Sequence, residues 1–238
     1  MTYKSLDSQK TIETVEQLQR RISERFPESS LEKVCATLSE IAHHTREKTE
    51  WISKPYYWLR IVVALIIIIS FVILLYSISQ MNISIKSIHF AEFVQVSEAA
   101  LNDVVLIGAA IFFLISVETR IKRERVLELL HELRSIAHVI DMHQLTKDPS
   151  KISPNVILTT SSPKETLSVY ELMRYLDYCS ELLSLTGKVA ALYAQSLRDA
   201  VVLSSVNEIE TLTTGLSRKI WQKIMILHKL EDEQSRTQ

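Results

Sequence analysis

The chain has 238 residues, 47% of them hydrophobic, and a formal net charge of −1. That balance excludes the strongly basic face expected of a nucleic-acid binder, and no direct nucleic-acid binding is expected. Three glycines and five prolines supply too little turn chemistry for a sheet-rich fold, so the composition points to an all-α protein.

Residues 1–28 form an amphipathic helix from Ser8 to Phe26, with Ile12, Val15, Leu18 and Ile22 on one face. It is polar enough to be peripheral or frayed. The first roughly 50 residues are charged, unlike a cleavable signal peptide. After Pro27, Ser29 with Glu32 reads as a capping box. It opens a stem helix over 29–57 that carries Leu31, Val34, Leu38 and Ile41, helical to near Ser53, with Cys35 as a small packing residue. Cys179 lies far away without CxxC spacing, so no disulfide framework or zinc site is suggested.

Residues 58–80 form the first membrane span. No charged side chain falls between Arg60 and Lys86, and Ile61 to Tyr76 is nearly all aliphatic or aromatic. Its insertion free energy is about −5 kcal/mol on a per-residue scale. Trp51, Tyr56, Tyr57 and Trp58 are the interfacial rings, and Pro55 marks a kink. A short outer loop covers 81–98. The second span, 99–118, centres on Val104 to Val117 and takes Asp103 inside its boundary. Charge sets the topology. Arg46, Lys48, Lys54 and Arg60 precede the first span, and Arg120, Lys122, Arg123 and Arg125 follow the second, whereas Met81–Asn102 holds Lys86 alone as a cation. The positive-inside rule then gives a multi-pass protein of the cell inner membrane, with both termini cytoplasmic.

Residues 119–146 continue the second helix to about Leu145, with Val126, Leu129, Leu133, Ile136 and Ile140 on one face. A linker over 147–163 holds Pro149, Pro154 and Pro163, and its Val156, Ile157 and Leu158 suit extended docking. Residues 164–232 form an antiparallel helical hairpin. Its first helix is capped by Ser162-Pro163-Lys164-Glu165 and runs on through Val201; its second is opened by a capping box at Ser205 and Glu208. Residues 233–238 are a tail. The architecture expected is a two-span helical hairpin with a long cytoplasmic stem and a C-terminal hairpin, packed as a bundle.

Three sets of residues could carry chemistry. His43 and His138 share the spacing Leu-x-x-Ile-Ala-His, about 18 and 20 residues from the spans, or roughly 27–30 Å along a helix. Paired antiparallel, they would share one layer with Asp141 as a pH switch, a weak metal site or a structural polar layer. Ser70 and Ser77 share a helix face and, with Asp103 (and nearby Glu98 and Glu118), could line an ion path; local hydrogen bonding is the plainer account of the serines. Arg120, Lys122, Arg123 and Arg125 suit anionic lipid headgroups. Isolated glycines rule out a phosphate-cradling loop, and no GxSxG, HExxH or CxxC occurs, so neither catalysis nor a cofactor is expected.

With runs Ile61–Tyr76 and Val104–Val117, a short outer loop and cytoplasmic helices on both sides, the layout resembles the small two-transmembrane effectors of bacterial antiviral defence systems, such as retron-associated membrane proteins and effectors partnered with nucleotide-signalling enzymes. The resemblance implies a membrane effector held quiet until infection, which then assembles as a homo-oligomer, breaches the inner membrane as a pore or lesion, and arrests growth. Its trigger would be a cytoplasmic protein or signal, and no catalytic residues carry over. The alternatives are a membrane anchor or scaffold for a cytoplasmic partner, bound through Pro163–Leu230, and an ion-conducting oligomer gated by the stem histidines.

Overall fold

A computed structural model describes residues 5–80, 90–149, 160 and 167–236. Its helices are α1 (Ser8–Arg25), α2 (Ser30–Ser53), α3 (Tyr57–Gln80), α4 (Phe90–Leu145), α5 (Val169–Ser196) and α6 (Ala200–Arg236), with no strand among the described residues. The chain divides into a unit of residues 1–53 and 125–238 and a unit of residues 54–124, and α4 contributes to both. The first unit is a helical bundle with the molecule's apolar core.

Helix α1 is not frayed. The Asp7 carboxylate caps it by accepting from the Gln9 and Lys10 amides at 2.9 and 3.3 Å. Ile12, Val15, Leu18 and Ile22 are at most 3% exposed, because α1 packs on both α2 and α5. Arg21 adds a two-pronged ion pair to Glu181 of α5, at 2.7 and 3.2 Å. Most of the polar residues that suggested a frayed helix lie on its outer side, while Thr11 is buried and Arg21 reaches α5.

The turn into α2 uses the expected Ser29, whose Oγ accepts the Glu32 amide at 3.1 Å. The reciprocal bond is shifted: Glu32 Oε2 takes the amide of Glu28, at 2.7 Å, and not that of Ser29. Glu28 stands at φ 58°, the left-handed region that favours glycine. Further along α2, Leu31, Cys35, Leu38 and Ala42 are buried. Thr45, fully buried, donates its hydroxyl to the Ile41 carbonyl at 2.7 Å and accepts from the Tyr193 hydroxyl at 2.9 Å. This bond ties α2 to α5 at one register. Burial raises the Tyr193 phenol to about 12.

Helix α5 is the centre of the bundle, with α1, α2 and α6 against it. Leu172, Leu176, Cys179, Leu183, Val189 and Tyr193 are wholly buried, and Tyr175, Tyr178 and Leu185 close the other side. Its start departs from expectation. Ser168 and Glu171 form the capping box, with Ser168 Oγ accepting at 3.3 Å and Glu171 Oε2 at 2.8 Å. The cap expected at Ser162–Glu165 lies outside the described residues, as do Val156, Ile157 and Leu158. The next helix begins earlier than expected. The chain breaks at Leu197–Asp199, and Asp199 Oδ1 caps α6 by accepting from Val201 and Val202 at 3.0 and 3.2 Å. Ser205 and Glu208 therefore lie inside α6. A Ser-x-x-Glu pattern fits one turn of any helix surface, whereas the Asp199 carboxylate meets bare amides.

On α6, Val202, Val206, Ile209, Leu216, Ile220, Ile224 and Leu227 form the buried stripe. The 125–145 part of α4 adds Val126, Leu130, Leu133, Ala137 and Ile140 to the same core. Arg134 of α4 pairs with Glu208 of α6. Lys223 of α6 donates to the Gln144 and Lys147 carbonyls, at 2.6 and 2.9 Å. A cation there satisfies carbonyls that a helix C-terminus leaves open.

Replacing Glu28 by Gly keeps the amide bonded to Glu32 and removes the left-handed penalty, so the bundle gains about 1 kcal/mol. Glu28→Ala, which keeps a Cβ, gives no such gain. Denaturant unfolding of both variants checks this.

Candidate functional site

The unit of residues 54–124 is built from α3 and residues 90–124 of α4, and its surface is unlike the bundle's. Ile61, Leu65, Ile68, Phe71, Val72 and Leu75, on one face of α3, and Ile69 and Ile73 beside them are each at least 51% exposed. On α4 the same holds for Leu101, Val104, Val105, Phe112, Phe113 and Ile115, at 62% or more. Only 6% of the most apolar stretch of the first candidate span, and none of the second, is buried. A core helix of a water-soluble protein would hide such residues. The 24 residues of α3 extend about 36 Å, enough for the hydrocarbon layer. Both helices are thus long and apolar enough to cross a membrane. Tyr57 and Trp58 open α3 with rings 68% and 60% exposed.

At one end of this unit lies an ionic knot. Lys122 is only 8% exposed. Its Nζ donates to Glu118 Oε1 at 2.7 Å and to the Lys54 carbonyl at 2.9 Å, and sits 5.5 Å from the centre of the Tyr56 ring. Glu118 Oε1 also accepts the Tyr56 amide at 3.4 Å. The non-helical stretch Lys54–Tyr56, where Pro55 interrupts the helix as expected, is therefore fastened to one turn of α4. Lys122 was expected to meet lipid headgroups; its amine is instead turned inward and fully engaged. A lysine beside an apolar span has two ways to keep its charge solvated, and an acid one turn earlier decided which.

The other basic residues have separate roles. Arg120 is exposed and touches Glu124 at 3.3 Å. Arg125, in the bundle, lies over the Trp51 ring at 5.4 Å. Arg123 is half-buried. Asp103 and Ser70 are half-buried, whereas the side chain of Ser77 lies outside the described residues. No contact joins Asp103 to Glu98 or Glu118 among the described residues.

The histidine layer does not form. In the bundle, Ser30 meets His143 at 3.3 Å and Trp51 meets Arg125, so α2 and α4 run antiparallel in a fixed register. That register sets His43 and His138 about 10 Å apart along the helices. His43 Nε2 faces Glu16 of α1 at 2.8 Å, and His138 is exposed. The Asp141 carboxylate accepts from Gln144 Nε2 at 2.6 Å. Similar residue counts from the two apolar runs did not bring the histidines to one level, because contacts within the bundle set the register of α2 against α4. No group of three or more potential metal ligands occurs among the described residues. Cys35 and Cys179 are buried, which pushes both thiols up to about 12 and leaves them as packing groups.

What sequence reasoning missed is the role of Glu118 and Lys122 as a pair. The signal was present: an acid four residues before a lysine, at the edge of an apolar run.

Two outcomes follow from these contacts. Lys122→Met removes a charged donor from a carbonyl and a carboxylate, so hydrogen exchange at the Tyr56 amide accelerates about tenfold or more; unchanged exchange would show the knot holds nothing. Burial also lowers the His143 imidazole below its ordinary 6.5. The folded protein takes up the imidazole proton at a lower pH than the unfolded chain does, so this contribution is present above about pH 6.5 and is lost as pH falls below that value. The denaturant midpoint drops between about pH 7.5 and about pH 5.5, and His143→Gln shrinks the drop. No family model matches the chain, and neither a curated protein nor a solved structure matches it.

Proposed function

We propose that the chain is an inner-membrane effector with two spans and both termini in the cytoplasm, whose helical bundle receives a cytoplasmic signal and whose spans, assembled between copies, perturb the membrane. The observation that carries this reading is the exposed apolar surface of α3 and of residues 101–115 in α4. In water that surface would drive aggregation; in lipid it is matched. The basic residues flanking the two helices support the orientation through the positive-inside rule. Growth arrest in antiviral defence is the role suggested by the resemblance in layout. The proposed partners are the bilayer, further copies of the chain and a cytoplasmic protein or trigger; no enzymatic step is proposed.

A second reading, a membrane anchor for a cytoplasmic partner, is favoured by one feature. From Ile61 to Phe71 the described side chains of α3 are apolar on every side apart from Ser70, which suits lipid contact all round better than a wet pore wall. The histidine-gated channel loses its support, because His43 and His138 occupy different levels.

Expression in a bacterial host with a potential-sensitive dye separates the readings. The effector gives depolarisation and growth arrest, both abolished when the spans are replaced by unrelated apolar helices. Accumulation in the membrane fraction with normal potential and growth leaves the anchor. Recovery of intact protein in the detergent-free soluble fraction defeats both.

A further inference from the structure

Between α3 and α4, just above the ionic knot, a groove of about 280 Å³ is walled by Val63, Ile111, Leu114 and Ile115, with Arg60 at its edge. We propose that this groove is a binding site for one bilayer phospholipid, an acyl chain lying along the apolar wall and the phosphate held by Arg60. The inference rests on the membrane reading above.

Charge complementarity names the occupant. The Arg60 side chain is exposed, and its guanidinium makes no ion pair among the described residues. The acid that shares its groove, Glu118, is held by Lys122 and the Tyr56 amide through Oε1. The groove therefore offers an exposed guanidinium that acts on Glu118 through its charge but makes no direct ion pair with it, beside a wall of aliphatic carbon. Arg60 opens the apolar run, the depth at which headgroup phosphates begin. A soluble anion has no use for the aliphatic wall, and a neutral hydrocarbon has none for the guanidinium. An amphiphile with both parts uses both, and a guanidinium matches phosphate oxygens in a two-pronged geometry.

The test uses the full-length protein extracted from membranes in mild detergent, delipidated, and examined by native mass spectrometry. The probes are phosphatidylglycerol, diacylglycerol with the same chains, and glycerol 3-phosphate. The expected result is one retained phosphatidylglycerol, diacylglycerol held about fivefold more weakly, and no glycerol 3-phosphate. Arg60→Gln lowers phosphatidylglycerol retention by a similar factor and leaves diacylglycerol retention alone. Leu114→Trp fills the groove and abolishes retention of both lipids, while its thermal midpoint reports that it folds. Equal retention of the two lipids, binding of glycerol 3-phosphate alone, or undiminished binding in both variants overturns the site. Failure here is separable from failure of the membrane reading. Protein found in the membrane pellet yet retaining no lipid removes only the groove, whereas protein found in the soluble fraction removes the reading beneath it.

Discussion

Helix α3 and the apolar part of α4 leave most of their described aliphatic and aromatic side chains uncovered, and both are long and apolar enough to cross a membrane. Val63 and Ser70 of α3 and Ile107, Ile111 and Leu114 of α4 are half-buried, whereas most other described side chains of these two apolar runs are exposed. At roughly 25 cal/mol for each Å² of apolar surface left in water, helices of this length would be strongly driven to associate or insert. A helix can meet lipid this way because its backbone bonds are satisfied within itself. The other features of the 54–124 unit answer to the same requirement: rings of Tyr57 and Trp58 at the start of α3, exposed Arg60 and Arg120, and a charged pair folded inward.

The inward pair shows how a charge is kept beside a greasy segment. An ammonium taken out of water needs several partners, since one carboxylate rarely repays the lost hydration. Lys122 has a carboxylate, a carbonyl and an aromatic ring. The carbonyl belongs to Lys54, beside Pro55, where the helical ladder is interrupted and acceptors are open. A break in one helix thus becomes the attachment point for a side chain of another.

The bundle solves a different problem, that of bringing several amphipathic helices onto one core. Helix α5 does so by burying residues on nearly all sides, with glycine at 187 admitting close packing: a Cβ there would stand 3.3 Å from the Thr213 hydroxyl of α6. Polar links then set register. The Thr45–Tyr193 bond, the Arg21–Glu181 pair and the Lys223 contacts to carbonyls at the end of α4 each join different helices. A hydrophobic stripe alone tolerates sliding by a turn, whereas a buried hydrogen bond does not.

Much of this was legible in residue order alone. The apolar runs, the stripes of α1 and α6, the helix opened by Ser29 and the interruption at Pro55 follow from hydropathy, period and backbone chemistry, all of which are local. Whether a local signal is used depends on competitors that only folding supplies. Ser205 and Glu208 carry a capping pattern, but Asp199 met the open amides first. His43 and His138 share a motif, but the register of α2 against α4 parts them. Lys122 belongs to a basic run, but Glu118, Lys54 and Tyr56 converge on it and turn it inward. Linear order determined what each segment is; tertiary packing decided what each charged or polar group faces, because that depends on neighbours far along the chain, 160 residues away in the Arg21–Glu181 pair.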